Sequence, residues 1–197
     1  MKLWISLNRY SKNGIYLPRS GDCRENLFLR PFLALTASLG GGCAILLTMR
    51  LTLAHIGARP GSKDGYNTLA QTYLERCAGF ADPQAEAFRN EEALLEAVAK
   101  RQGRTPALLV LLDSRGKLMS SETFAAWLGS RRDEGTQHIV FAIGPASGWA
   151  DTTRQRAHLQ LSLGPMTLAH ALARLVVAEQ LYRAVTILTG HPYHGGH

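Results

Sequence analysis

The stretch Ala107-Leu108-Leu109-Val110-Leu111-Leu112 contains no polar residue and stops at Asp113-Ser114-Arg115-Gly116. A strand with one wet face alternates apolar and polar residues, whereas an unbroken apolar run this short marks a strand covered on both faces. His138-Ile139-Val140-Phe141-Ala142-Ile143 has the same character and ends in Gly144-Pro145-Ala146-Ser147-Gly148. Two such strands separated by helical patterns define an α/β chain with a mostly parallel sheet and flanking helices. Residues 51–56 form another short strand, 84–88 a weaker one, and 158–163 alternates well enough for a fifth. Helical patterns cover 66–77, with Leu69, Tyr73 and Leu74 on one side, then 91–101, 121–128, 151–156 and 168–188. Ser120 or Ser121 is expected to cap the third helix, Asp151 the fourth and Thr167 the last.

The last helix carries Leu168, Leu172 and Leu175, then Val177, Leu181, Val185 and Leu188, a stripe that drifts around the axis. One sheet cannot cover so wide an apolar surface. A second copy would, so a homodimer through this region is expected, beside the alternative of a helix wrapped by its own chain.

The chain has 197 residues, enough for one domain with a substantial core. Its 22 Lys and Arg against 15 Asp and Glu give a net charge of +7, compatible with a polyanionic partner. Residues 1–48 hold six basic side chains and two acidic ones, hence +4 of that total, leaving +3 for the rest. Cys23, Cys43 and Cys77 are odd in number and lack C-x-x-C spacing, which speaks against a disulfide framework or zinc ribbon and fits a reducing cytoplasm. Residues 31–48 are apolar behind Arg30, the outline of a signal or membrane segment, but Gly40-Gly41-Gly42 weakens a helix there. Regular patterning begins at Arg50. The expected organisation is an extension over 1–48, read from an upstream start or disordered, and one domain over 49–197 beginning at Met49, without a membrane anchor.

In open parallel sheets ligands sit beyond the carboxyl ends of the strands. The segments after Leu112, Ile143 and Leu163 are therefore the candidate site. Gly144-Pro145-Ala146-Ser147-Gly148 lacks the Lys-Ser/Thr of a P-loop and is not G-x-G-x-x-G, which disfavours a nucleoside triphosphate or a Rossmann dinucleotide. Leu163-Gly164-Pro165-Met166-Thr167-Leu168 is a second glycine loop, and two such loops at neighbouring strand ends would expose backbone groups suited to an adenine and a ribose. Each alone also reads as a simple connection. Glu179 and Arg183 stand four apart in the order that favours an intrahelical ion pair, with Arg183 also able to offer its guanidinium to phosphate. In the tail, His191 and His194 have no cysteine or acidic neighbour, so metal is not expected. Tyr193 between imidazoles is a stacking surface beside hydrogen-bonding groups, a combination used on unpaired RNA, or a locally packed tail with no further role.

The run from Thr167 through Ala169-His170-Ala171 and Glu179-Gln180-Leu181-Tyr182-Arg183 to His191-Pro192-Tyr193-His194 closely resembles the carboxyl terminus of the ribosomal large subunit methyltransferase H family. The resemblance extends over roughly residues 49–194. It implies a SPOUT-class fold with a carboxyl-terminal trefoil knot, a cytoplasmic homodimer, and S-adenosylmethionine as cofactor. The implied reaction is methylation of N3 of a pseudouridine in 23S rRNA on the assembled ribosome. The implied cofactor positions are Leu112, Gly144 and Leu163, Gly164, Pro165, Met166, Thr167 and Leu168. Two motifs depart from the family: its Gly-Gly-Pro-Glu-Gly is Gly144-Pro145-Ala146-Ser147-Gly148 here, and its Pro-His-Pro is Ala169-His170-Ala171.

Methyl transfer from a sulfonium is an in-line displacement that asks the protein mainly for positioning, but the N3 proton must leave. The candidates are His191 or His194 as base and Arg183 stabilising the developing charge, with Tyr182 and Tyr193, beside the same His191, His194 and Arg183, touching the RNA. The altered glycine loop motivates a rival expectation, a ribosome-binding protein that keeps the fold without efficient methylation.

Overall fold

The computed structural model describes residues 49–195 apart from Ser62, Gln102 and Arg104, and without the side chain of His194. The extension over 1–48, including the apolar stretch 31–48, and His197 lie outside the described residues. The strands are β1 (Arg50–Ile56), β2 (Asp82–Phe88), β3 (Leu108–Leu118), β4 (His138–Ile143) and β5 (Leu159–Ser162). The helices are α1 (Gly65–Arg76), α2 (Glu91–Lys100), α3 (Ser121–Asp133), α4 (Asp151–Gln155) and α5 (His170–Thr189), followed by a 3₁₀ turn, Pro192–Gly195. All strand pairs are parallel, in the order β2-β1-β4-β3-β5.

The two unbroken apolar runs are neighbours near the centre of this sheet. In β4, Ile139, Phe141 and Ile143 pack with Leu74, Phe124, Leu128 and Leu181 on the face covered by α1, α3 and α5, while Val140 and Ala142 pack with Leu94 and Trp149 on the other. Every residue of β4 is buried. Burial on both faces is what removes the polar alternation from the sequence.

Several boundaries differ from the sequence reading. The ladder between β3 and β5 does break at Leu112, but it resumes at Lys117, and both residues lie opposite Leu161. Asp113 to Gly116 thus form a bulge inside a longer strand. Gly116 is required there because a Cβ would fall 2.6 Å from the Gln160 carbonyl carbon. β2 starts earlier than expected, through Pro83, which an edge strand tolerates. The third helix runs past Leu128 to Asp133, with Ser120 as the cap, its side chain accepting from the Thr123 N–H at 3.2 Å. Neither Asp151 nor Thr167 is a cap: the Ncap residues are Ala150 and Ala169, and neither makes a side-chain cap bond. At α4 the Ala150 N–H and the Thr153 hydroxyl instead donate to the Glu91 carboxylate, which comes from α2.

Much of the drifting stripe on α5 is covered by the chain itself. Ala173, Val177, Ala178, Leu181, Ala184 and Val185 are buried, and Gly129 lets α3 approach so closely that a Cβ would stand 2.9 Å from Leu188 Cδ2. Leu172 on α5 stays exposed, as do Tyr66 and Leu69 on α1, at 52% and 53%, and, elsewhere, Leu118 and Met166. Among the described residues no helix is long and apolar enough to cross a membrane.

Candidate functional site

The bulge of β3 and the carboxyl ends of β4 and β5 surround one cleft of about 450 Å³. Leu112, Gly144, Leu163, Gly164, Met166, Thr167 and Leu168 all line it, whereas Pro165 does not. Parallel register explains the convergence: Leu112 pairs with Ile143 on one side and with Leu161 on the other, so the β3 bulge and the loops after β4 and β5 begin at one level of the sheet. Gly148 and Gly164 have φ of +80° and +124°, backbone conformations that L side chains rarely adopt.

Trp149, a residue with no signal in the sequence reading, ties two of these strand ends together. Its Nε1–H donates to the Leu112 carbonyl at 3.0 Å, and its ring lies where a Cβ on Gly144 would come within 2.8 Å. Asp113 and Arg154 form a second brace, Nε to Oδ2 at 2.7 Å, and Arg154 reaches Asp151 at 2.8 Å. Burial raises the pKa of Asp113, but the Arg115 N–H and the Arg154 guanidinium outweigh it, so the carboxyl lies below its ordinary range. Ser162 Oγ accepts from the Gly164 N–H at 3.2 Å and lies 3.4 Å from the Ser114 carbonyl, joining the second glycine loop to the β3 bulge. The cleft therefore has an apolar wall, exposed backbone groups and a carboxylate already neutralised by arginine.

The tail forms a separate cluster on α5. Arg183 binds Glu179 through Nε at 3.0 Å and Nη2 at 2.8 Å, so the intrahelical pair is real and the guanidinium is largely committed to it. The Tyr193 hydroxyl donates to the same carboxylate at 3.1 Å, and its ring lies 5.1 Å from the Arg183 guanidinium. Tyr182 meets Tyr193 edge-on at 4.8 Å and Tyr73 of α1 at 5.9 Å. Burial, Tyr73 and the Glu179 charge together push the Tyr193 phenol above its ordinary pKa, so it stays a hydrogen-bond donor. His191 is exposed, with Nδ1 accepting from the Tyr193 N–H at 3.2 Å. The backbone of His194 lies in the 3₁₀ turn, and its side chain is outside the described residues.

Among the described residues, none of the tail lines the cleft. His170 and Ala173 are the α5 residues at the cleft, and Glu179, the anchor of the tail, follows His170 by about two and a half helical turns, which places it on the opposite side of the helix.

Residues 49–194 match the family model described as "Predicted SPOUT methyltransferase". The chain is 48% identical over 149 residues to the ribosomal RNA large subunit methyltransferase H of Koribacter versatilis (strain Ellin345), covering 76% of this chain and 100% of that protein. It is 50% identical over 109 residues to the protein of the same name from Brucella ovis (strain ATCC 25840 / 63/290 / NCTC 10512), covering 55% of this chain and 64% of that one. Among solved structures, the SpoU methyltransferase AviRb from Streptomyces viridochromogenes in complex with the cofactor AdoMet aligns with a TM-score of 0.42 at 16% identity, over 72% of this chain and 58% of that one.

Proposed function

The chain belongs to the SPOUT methyltransferase family, and from that premise we propose that it is a cytoplasmic rRNA methyltransferase using S-adenosylmethionine. We propose further that it acts as a homodimer on the assembled ribosome, methylating N3 of a pseudouridine in 23S rRNA, and that its carboxyl-terminal segment carries the trefoil knot. The observation that carries the reading is the convergence of Leu112, Gly144 and the 163–168 loop in one cleft. Its size suits a nucleoside-containing ligand. Gly164, with no atom within 4 Å of where a Cβ would stand, lets such a ligand approach the backbone closely, while the bare Gly144 lets Trp149 pack against the end of β4. In this reading Leu112, Gly144, Leu163, Gly164, Met166, Thr167 and Leu168 hold the cofactor, with Pro165 shaping the loop from outside the cleft.

The cofactor supplies an activated methyl group; the chain must place the acceptor in line and remove its N3 proton. An imidazole of the tail, His191 or His194, takes that proton. Arg183, held by Glu179 and the Tyr193 ring, offsets negative charge developing on the base, and Tyr182 and Tyr193 present ring surface to the RNA. Because the tail sits across α5 from its own cleft, a homodimer in which each tail serves the partner's cleft is the arrangement that unites the two. The exposed Tyr66, Leu69 and Leu172 support a protein surface there.

Mass spectrometry of 23S rRNA from a strain lacking the protein tests the activity. One methyl group absent from a pseudouridine is expected, and an unchanged modification pattern would reject the assignment. The changed loop 144–148 keeps the rival reading in play, a ribosome-binding protein without methylation. Calorimetric titration with S-adenosylmethionine separates the two, since only the enzyme needs a measurable heat of binding. Intact-mass measurement of the natively expressed protein tests the proposed start at Met49.

A further inference from the structure

A second cavity of about 410 Å³ opens between β1, the edge strand β2 and α1, on the face of the sheet that α5 also covers. Leu53 and Leu74 form its floor, and both are buried. Ala85 and Ala87 stand beside Leu53 and His55 in register, and their methyl groups leave the space above β2 unfilled. Over this apolar floor converge Asn67 and Gln71, one turn apart on α1, with Arg59 from the loop after β1 and Arg174 from α5. The side chains of Asn67, Gln71 and Arg59 have no hydrogen-bond or ionic partner among the described residues. Arg174 gives one Nη2–H to Asp64 at 3.1 Å, while its Nε meets no acceptor.

The remaining polar groups at the cavity are already spoken for. His55 donates through Nε2 to the Ala58 carbonyl at 3.0 Å, and burial, with Arg174 and His170 nearby, favours its neutral form. Glu86 pairs in register with Ala54, whose side chain faces the opposite core, and its carboxylate binds Arg101. The cavity thus offers an apolar floor, two amides that both donate and accept, and two guanidinium groups, without a free carboxylate. Those are the contacts an unpaired nucleotide requires: a surface for the base, hydrogen bonds for its edge and a cation for its phosphate. Arg174 lies one helical turn beyond His170, which lines the cleft, so the two openings share the first turns of α5.

We propose that this cavity is a subsite for an unpaired nucleotide flanking the methylated one, with Asn67 and Gln71 meeting the base edge and Arg59 and Arg174 the phosphate. The identity of the strand rests on the rRNA methyltransferase reading; the existence of the subsite does not. The test is a titration of the isotopically labelled full chain with uridine and adenosine 5′-monophosphates, S-adenosylhomocysteine being kept at saturating concentration. The side-chain amide signals of Asn67 and Gln71 are expected to shift, with the backbone signals of Gly144 and Gly148 unmoved. In the N67A/Q71A double variant the affinity should fall about tenfold, the loss of two modest hydrogen bonds. Binding by the cavity-filling variant Ala85→Leu equal to that of the parent, or shifts confined to the cleft, would overturn the subsite. If S-adenosylhomocysteine itself fails to shift Gly144, the cofactor reading falls while the nucleotide titration still decides the cavity. On ribosomal RNA, N67A/Q71A should raise KM with kcat retained.

Discussion

Gly144 is where a single atom decides the cleft. A Cβ there would press on the Trp149 ring at 2.8 Å, and that ring cannot retreat easily because it is 4% exposed and bonded to the Leu112 carbonyl. Gly144→Ala is therefore expected to cost about 1–3 kcal/mol of stability by overpacking. It should also weaken S-adenosylmethionine binding at least tenfold, read by thermal unfolding and calorimetry. Tyr193 decides the tail in a different way. Tyr193→Phe removes only the hydroxyl that donates to Glu179, so stability should change by about 1 kcal/mol or less. Methylation should fall while cofactor affinity stays the same; unchanged turnover would show that the tail anchor has no part in the reaction.

At the scale of elements, the amino end of the sheet contains a buried histidine. His138 opens β4, its Nε2 2.8 Å from Thr52 Oγ1, and burial, reinforced by Arg101 and Arg50, pulls its pKa down to about 4. Above pH 6.5 both folded and unfolded chains hold it neutral and it makes no contribution to pH dependence. Between 6.5 and 4 the unfolded chain takes up a proton that the folded chain refuses, so stability is lost as the pH falls, and the loss levels off below 4. The amplitude is on the order of 3 kcal/mol. Chemical denaturation across that range should show this limb in the parent and flatten it in His138→Gln. The joint between β3 and β5 carries the other element-scale lesson. Asp113-Ser114-Arg115-Gly116 has the composition of a turn, and the chain does leave the ladder there, yet it re-enters at Lys117 because Gly116 can lie against the Gln160 backbone. Local composition registered the break; only the neighbouring strand explains the return.

For the whole molecule, the separation of cleft and tail across α5 makes assembly a functional matter. If Tyr66 and Leu69 lie in a dimer interface, the double variant Tyr66→Asp/Leu69→Asp should sediment as a monomer and lose methylation while still binding cofactor. Mixing a tail variant, Arg183→Ala, with a cleft variant, Gly144→Ala, should recover part of the activity, since a mixed dimer contains one intact tail facing one intact cleft. No recovery after subunit exchange would mean that each chain serves itself.

The sequence by itself determined the class of this fold and pointed to the segments that line the cleft. Burial on both faces strips polar residues from the first half of β3 and from β4 after His138, and glycines follow the ends of β4 and β5, so both features can be read from spacing alone. The tail residues were legible as a group through a resemblance that no periodicity contains. Tertiary structure alone decided that β4 lies between β1 and β3, that Asp113 braces Arg154, that Trp149 closes the gap between Leu112 and Gly144, and that Glu179 anchors Tyr193 of the tail. These are contacts between residues far apart in the chain. Their partners are set by which strands become neighbours and by the phase of a helix against the sheet, and a local pattern of apolar and polar residues encodes neither.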